Sequence, residues 1–440
     1  MVRGMFLSLC VMKKFILLFI FVLSASIMLA QEHKLILLKP DRVFDGQTMH
    51  MGWSVLIKDN HIEAAGETNS IIIAPNTQVI DLKGTTLLPG FIEGHSHMFL
   101  HPYNEVKWDD QVLTESRAER TARAVNHARE TLMAGFTSAR DLGTEGAGYD
   151  DAGLKSAINK GVIPGPRLLV ATRAIVATGS YGPKSTVTES ILPKGAEEAD
   201  GIDGLTRVIR SQIGYGADVI KLYADYRWGL DGTSEPTFTA DELKLAVQVA
   251  GSSGRMVVVH SSTEEGMRRA IAAGVKTIEH GDGGNAEIFK LMKDKGIALC
   301  PTLAATEAIA SYRGWRKGID PETENIKRKR SMFTAALKSG VTICMGGDVG
   351  VFAHGDNARE IILMAEYGMK PIEVLKSATS VNADVFGMKA LGLIKAGYLA
   401  DIVVVNGNPV EDIKAVKDVK LVMKNGVIYR IDGILESQIK

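Results

Sequence analysis

Apolar and polar positions alternate with a period of two in short runs near the start of the chain. The runs cover residues 35–38, 54–58, 62–65, 71–73 and 79–82, separated by Asp-Gly, Gly and Asn turn signals. That pattern predicts short, half-buried strands. The far end repeats it at residues 400–405, 419–424 and 427–429, with Asn425-Gly426 placed as a two-residue hairpin turn. Strands from both ends predict one small composite β-sandwich domain, residues 31–86 with 396–440. Between them the pattern changes. Strand-like runs at 86–92, 137–141, 167–171, 219–223, 256–260, 277–280, 298–301 and 342–346 alternate with helically spaced stretches such as 117–134, 240–250 and 264–273. Gly135, Gly251 and Gly274 mark helix ends. Eight such strands with interleaved helices predict an α/β fold, a (β/α)8 TIM barrel over residues 87–395. A doubly wound open sheet is the rival, but no Gly-x-Gly-x-x-Gly opens its first helix.

The first thirty residues stand apart. Lys13 and Lys14 precede an apolar run at 15–30, and Gln31 opens a polar stretch. A charged start, a short apolar core and a small residue at the cut predict a signal peptide, residues 1–30, and a secreted or periplasmic protein. Sixteen residues with Ser24 and Ser26 inside are short for a membrane span, which needs about 20. No membrane association is expected once the leader is removed.

Composition narrows the function classes. At 45% hydrophobic and 23% charged, the 440 residues suit a globular chain. Lys plus Arg and Asp plus Glu are 51 each. No basic excess exists to hold a phosphate backbone, so nucleic acid is not an expected partner. Cys10 lies in the leader, and Cys300 and Cys344 sit in apolar strand-like runs, which predicts buried free thiols rather than a disulfide framework.

Polar residues collect at one end of the barrel strands. His95 and His97 follow the first, Lys221 lies on the fourth, His260 ends the fifth, His280 the sixth, and Asp348 follows the eighth. In a barrel those ends share one mouth, where active sites lie. His95-Ser96-His97 places two imidazoles on one side of an extended chain, though such a pair alone is weak evidence. Together the four histidines and Asp348 offer donors suited to zinc or a similar divalent ion. Lys221 is anomalous in an apolar strand. Burial favours its neutral amine, which suits a nucleophile, a Schiff base or a carbamate; pairing with an acid is the plainer reading.

With these residues in place, the chain resembles the amidohydrolase superfamily, nearest the imidazolonepropionase-like group that includes Xaa-Pro and Xaa-Arg/Lys dipeptidases. The likeness runs from about Lys34 to Tyr429. It rests on Leu88-Pro-Gly-Phe-Ile-Glu-Gly-His-Ser-His97, Ala134-Gly-Phe-Thr-Ser-Ala-Arg-Asp-Leu-Gly143, Gly216-Ala-Asp-Val-Ile-Lys221, Val257-Val-Val-His260, Ala272-Ala-Gly-Val-Lys-Thr-Ile-Glu-His280 and Gly397-Tyr-Leu-Ala-Asp-Ile-Val-Val-Val405. The resemblance implies two divalent metal ions, Zn2+ by preference. His95, His97 and Asp348 would hold one, His260 and His280 the other, and a carbamate on Lys221 would bridge them. A shared hydroxide would attack the amide, and Asp348 would pass its proton to the leaving amine. The implied partner is a small-molecule amide or dipeptide substrate and, as relatives are often multimeric, a homo-oligomer. The alternative within the fold is a one-metal cyclic-amide hydrolase or deaminase; a non-catalytic relative would have lost ligands, and none is lost.

The chain departs from that group in two places. Thr178-Gly-Ser-Tyr-Gly-Pro183 stands where relatives carry Thr-Gly-Gly-His, and Leu222-Tyr-Ala-Asp-Tyr-Arg-Trp228 replaces a small-residue run. Arg227 would pair with a substrate carboxylate, with Tyr181, Tyr223 or Tyr226 donating to it. His354 and Asn357, on the loop after Asp348, suit the pocket or an ordinary polar loop equally.

Overall fold

The structure, a computed structural model, describes residues 33–185 and 191–432. The expected leader lies outside the described residues. Among these, no helix is long and apolar enough to cross a membrane.

Both ends of the described chain enter one mixed sheet. Its path runs Val427–Ile431, Val419–Lys424, Ile402–Asn406, Gln78–Pro89, Leu35–Phe44, Trp53–Lys58 and His61–Glu67, with Met49–Met51 added beside Leu35–Phe44. Gln78–Pro89 joins the two ends, parallel to Leu35–Phe44 and antiparallel to Ile402–Asn406. Period-two alternation explains its two buried faces. Ile402 and Val404 pack with Ile36, Leu38 and Ile80, whereas Val403 and Val405 pack into the large core beneath the helices. The hydrogen bonds thus form one continuous path rather than the two separate sheets of a sandwich. Residues 71–73, expected as a strand, form a loop with Ile72 almost fully exposed. Those side chains find no partner face.

Apart from one antiparallel pair, Asp225–Arg227 with Ser234–Pro236, the remaining strands are parallel. Phe91–Ser96, Phe136–Asp141 and Arg167–Val170 form one ladder. Ile175–Val176, Val219–Tyr223, Met256–Ser261, Thr277–His280 and Ala298–Cys300 form another, with Glu197–Glu198 at its edge. Asp218 N–H donates to Val170 O between the ladders at 2.8 Å. On the other side, Ile343 bridges Leu299 and Val349 bridges Ser96, both parallel. Residues 342–349, including the expected strand at 342–346, make this link without becoming a regular strand.

The first parallel strand is Phe91–Ser96, not residues 86–92. The apolar run is split because the chain changes sheets at Gly90. A Cβ there would lie 2.1 Å from Thr137 Oγ1, so only glycine allows the approach. His95 consequently sits within its strand, and His260 lies within Met256–Ser261.

Local signals account for the helices. Ser116 caps Arg117–Met133, and Thr239 with Glu242 forms a capping box on Ala240–Gly251. Glu264–Ala273 ends at Gly274, whose φ of 84° is the left-handed stop. Cys300 and Cys344 are buried free thiols, as expected.

Candidate active site

Three strands and the 342–349 segment bring His95, His97, His260, His280 and Asp348 to one cleft of about 580 Å³. Lys221 lies beneath it, 1% exposed. His95 Nε2 and His97 Nε2 are 3.5 and 3.2 Å from Asp348 Oδ1. Their other ring nitrogens are occupied: His95 Nδ1 by Glu279 Oε2 at 3.0 Å, and His97 Nδ1 by the Gly143 carbonyl at 2.8 Å. Outer partners of this kind fix the tautomer and leave Nε2 as the donor for a metal ion. The donor set therefore fits a divalent cation.

A second pair adjoins the first. The His260 and His280 rings are 4.4 Å apart, and His95 and His280 are 5.1 Å apart. His280 Nδ1 meets Thr302 Oγ1 at 2.8 Å. His260 Nε2 lies 3.4 Å from Ser262 Oγ and 3.8 Å from Asp225 Oδ1. That leaves Nε2 of His280 and Nδ1 of His260 as the available donors. Two residues of the set hold left-handed backbone, His280 at φ 71° and Asp348 at φ 65°. Such conformations cost about 1–3 kcal/mol each and cluster at functional sites.

Electrostatics tie the set together. Burial and then the nearby Lys221 ammonium hold His95 down at about 4 and His260 at about 3. Burial alone would also lower His97, but its bond to Asp348 lifts it to about 9. Asp348, raised by burial, is pulled down to about 2 by His95 and His97. Burial lowers Lys221, and its charge bears on His95, His260, His280 and Asp348 alike, which places it among all of them.

Several functional neighbours escape the sequence reading. Glu279 accepts from His95 and from buried Arg140 at 2.9 Å, and Arg140 Nε donates to Gly94 O at 2.6 Å. His95, Glu279 and Cys300 also lie close enough to hold an ion. Glu279 is already paired with Arg140, however, and burial pushes the Cys300 thiol well up, so this group supports His95. Glu93 accepts from His95 N–H, Gly347 N–H and Asn357 Nδ2, which pins the loop after Asp348. A charge inside an apolar strand singled out Lys221, and the same signal marks Glu93 and Glu279.

Tyr181, Tyr223, Tyr226 and Arg227 all line the cleft. His354 does not. Its Nε2 faces the His97 and Leu100 carbonyls at 3.2 Å, and its ring stacks on His127 at 4.3 Å, behind the first parallel strand. The turn at Gly350 and Gly355 folds that loop away from the cleft, so proximity in sequence to Asp348 misplaces His354. The tyrosine hydroxyls also differ from expectation. Tyr181 donates to Glu145 Oε2 at 2.8 Å, and Tyr223 points to Glu145 Oε1 at 3.5 Å. They serve a carboxylate of the chain itself.

Residues 86–429 match the profile of the amidohydrolase family. The chain belongs to that family. Aspergillus niger ochratoxinase is 31% identical over 382 residues, covering 79% of this chain and 76% of the relative. A solved Xaa-Pro dipeptidase with methionine bound in its active site superposes with a TM-score of 0.79 at 29% identity, over 90% of this chain and all of the other. A prolidase complexed with N-methylphosphonate-L-proline gives 0.78 at 28%, over 91% of this chain and all of that one. This amidohydrolase shares their TIM-barrel-type fold, and it is a hydrolase of carbon–nitrogen bonds.

Proposed function

We propose that the protein is an exported, two-metal amidohydrolase that cleaves the amide bond of a dipeptide or an N-acyl amino acid. One observation carries the reading: His95, His97, His260, His280 and Asp348 converge on one cleft above buried Lys221, with ring nitrogens already oriented by outer partners. These residues would hold two divalent cations, zinc by the donor chemistry, which would supply carbonyl polarisation and a hydroxide near neutral pH. Lys221, whose amine burial pushes towards the neutral form, would add a carbamate to the donors that hold them. Asp348 takes the proton of the attacking water and returns it to the departing amine, which leaves poorly unless protonated. Arg227 at the mouth receives the substrate carboxylate. The reading includes a closed barrel of eight strands over residues 87–395 and a composite β domain from 31–86 and 396–440 built on the one mixed sheet. It also takes residues 1–30 as the leader removed on export.

The test is metal analysis of protein purified with zinc and bicarbonate, then amine release from dipeptides and N-acyl amino acids. About two ions per chain and turnover of both substrate classes or either one are expected. One ion per chain, with cyclic amides cleaved and dipeptides inert, would overturn it in favour of single-metal chemistry.

A further inference from the structure

Glu145 is a buried carboxylate in the wall of the cleft, 2% exposed. Its Oε2 accepts from Tyr181 OH at 2.8 Å and Trp108 Nε1 at 3.0 Å. Among the described residues, its Oε1 has only the 3.5 Å contact with Tyr223 OH. A carboxylate has about four acceptor positions, so Oε1 keeps unused capacity. Among the described residues, no Lys, Arg or His nitrogen forms a direct ion pair or hydrogen bond with this carboxylate, although Arg120 and His97 lie near enough to feel its charge. Burying an anion without a paired cation is costly.

The surroundings suit a cation. The Tyr181 and Tyr223 rings are 4.9 Å apart, Tyr181 and Tyr226 4.8 Å, and Trp108 meets Tyr181 edge-on at 5.2 Å. Ring faces grouped in this way attract an ammonium. The carboxylate is also rigidly presented. Buried Arg120 donates Nη1 to the Glu145 carbonyl at 2.7 Å and Nη2 to the Thr144 carbonyl at 3.0 Å. This clamp holds Glu145 at φ 49°, a left-handed conformation uncommon for a non-glycine residue. The guanidinium is engaged with main-chain carbonyls rather than with the carboxylate.

We infer that Glu145, with Tyr181, Tyr223 and Tyr226, forms a subsite for a cationic group on the acyl side of the substrate, the free α-ammonium of a dipeptide. The inference rests on the proposed amide hydrolysis and divides its two substrate classes. Tyr223 stacks on candidate ligand His260 at 4.6 Å, so the subsite adjoins the candidate metal ligands. Tyr226 leads from the subsite to Arg227, whose guanidinium carbon is 5.9 Å from its ring. A dipeptide presents the matching charges, an ammonium at one end and a carboxylate at the other. An N-acyl amino acid presents only the carboxylate and leaves Glu145 without a directly bonded cation.

The experiment compares each dipeptide that the metal-loaded protein cleaves with its des-amino twin, propionyl in place of alanyl. A charge-assisted bond predicts kcat/KM roughly ten- to hundredfold higher for the free amine. In Glu145→Gln that ratio should fall towards one. Equal turnover of the twins by the unaltered protein overturns the inference while leaving amide hydrolysis intact. A ratio unchanged in Glu145→Gln overturns the assignment to Glu145. If neither twin is cleaved although metal is bound, the proposed function falls and the inference with it. The unaltered protein decides the first question, so a misfolded variant does not block the test.

Discussion

At the scale of single residues, Asp348 carries the most exposed claim. Its Oδ1 stands between two imidazole Nε2 atoms, and its backbone is fixed by a 2.9 Å bond from its N–H to the His95 carbonyl. Asp348→Asn keeps shape and removes the proton acceptor. Turnover should fall roughly a hundred- to ten-thousandfold, as general acid–base groups contribute. An unchanged kcat would place the proton transfer elsewhere. Glu279→Gln tests orientation instead. It weakens the hold on His95 Nδ1 and loosens Arg140, so metal affinity should drop roughly ten- to a hundredfold. Competition with a chelator reads this directly. The ligand candidates were legible in the sequence because each is a polar residue at the end of an apolar run. Glu145 was not. In Gly143-Thr-Glu-Gly-Ala-Gly148 it reads as an exposed loop residue, and only the fold brings Trp108 and Tyr181 to it.

At the scale of elements, the Asn425-Gly426 turn shows how far local pattern reaches. Lys424 and Val427 pair across it, and both central residues have positive φ, as a two-residue hairpin requires. The sequence could not show what the turn touches. A Cβ at Gly426 would fall within bonding distance of the Asp59 carbonyl, on the turn that joins Trp53–Lys58 to His61–Glu67. Two distant turns thus lock the ends of the sheet together. Gly426→Ala adds left-handed strain of about 1–2 kcal/mol to overpacking of about 1–3 kcal/mol. Denaturant unfolding should show a loss of at least about 2 kcal/mol. The strands misjudged in the sequence fail for related reasons. Residues 71–73 have the right alternation but no sheet to join, and residues 86–92 hide a change of sheet at one glycine.

At the scale of the whole molecule, stability should depend on pH and on metal. Glu360 is fully buried and ties two helices together, accepting from Leu303 N–H at 3.0 Å and Ala304 N–H at 2.7 Å. Burial raises its carboxyl from 4.5 to about 8, although both N–H groups pull the other way. Between those values the folded chain keeps a proton that the unfolded chain releases. Stability therefore falls as pH rises from 4.5 to about 8, and this contribution is level above that. Glu360→Gln should flatten that part of the Tm profile; a parallel profile would mean the carboxyl is ionised when folded. Metal acts through the same linkage. The candidate ligands lie on or just after Phe91–Ser96, on Met256–Ser261 and Thr277–His280, and on the segment joining Ala298–Cys300 to Phe91–Ser96, with Lys221 on Val219–Tyr223. Ions bound there stabilise only the folded chain, by about 4 kcal/mol at a thousandfold excess over Kd. Stripping them should lower Tm by several degrees, and zinc should restore it. Lys221→Ala should show a smaller metal-dependent shift, because it removes the bridge and leaves the strand apolar. If chelation leaves Tm unchanged in both proteins, the convergence of imidazoles holds no metal, and the two-metal reading fails without reference to any substrate.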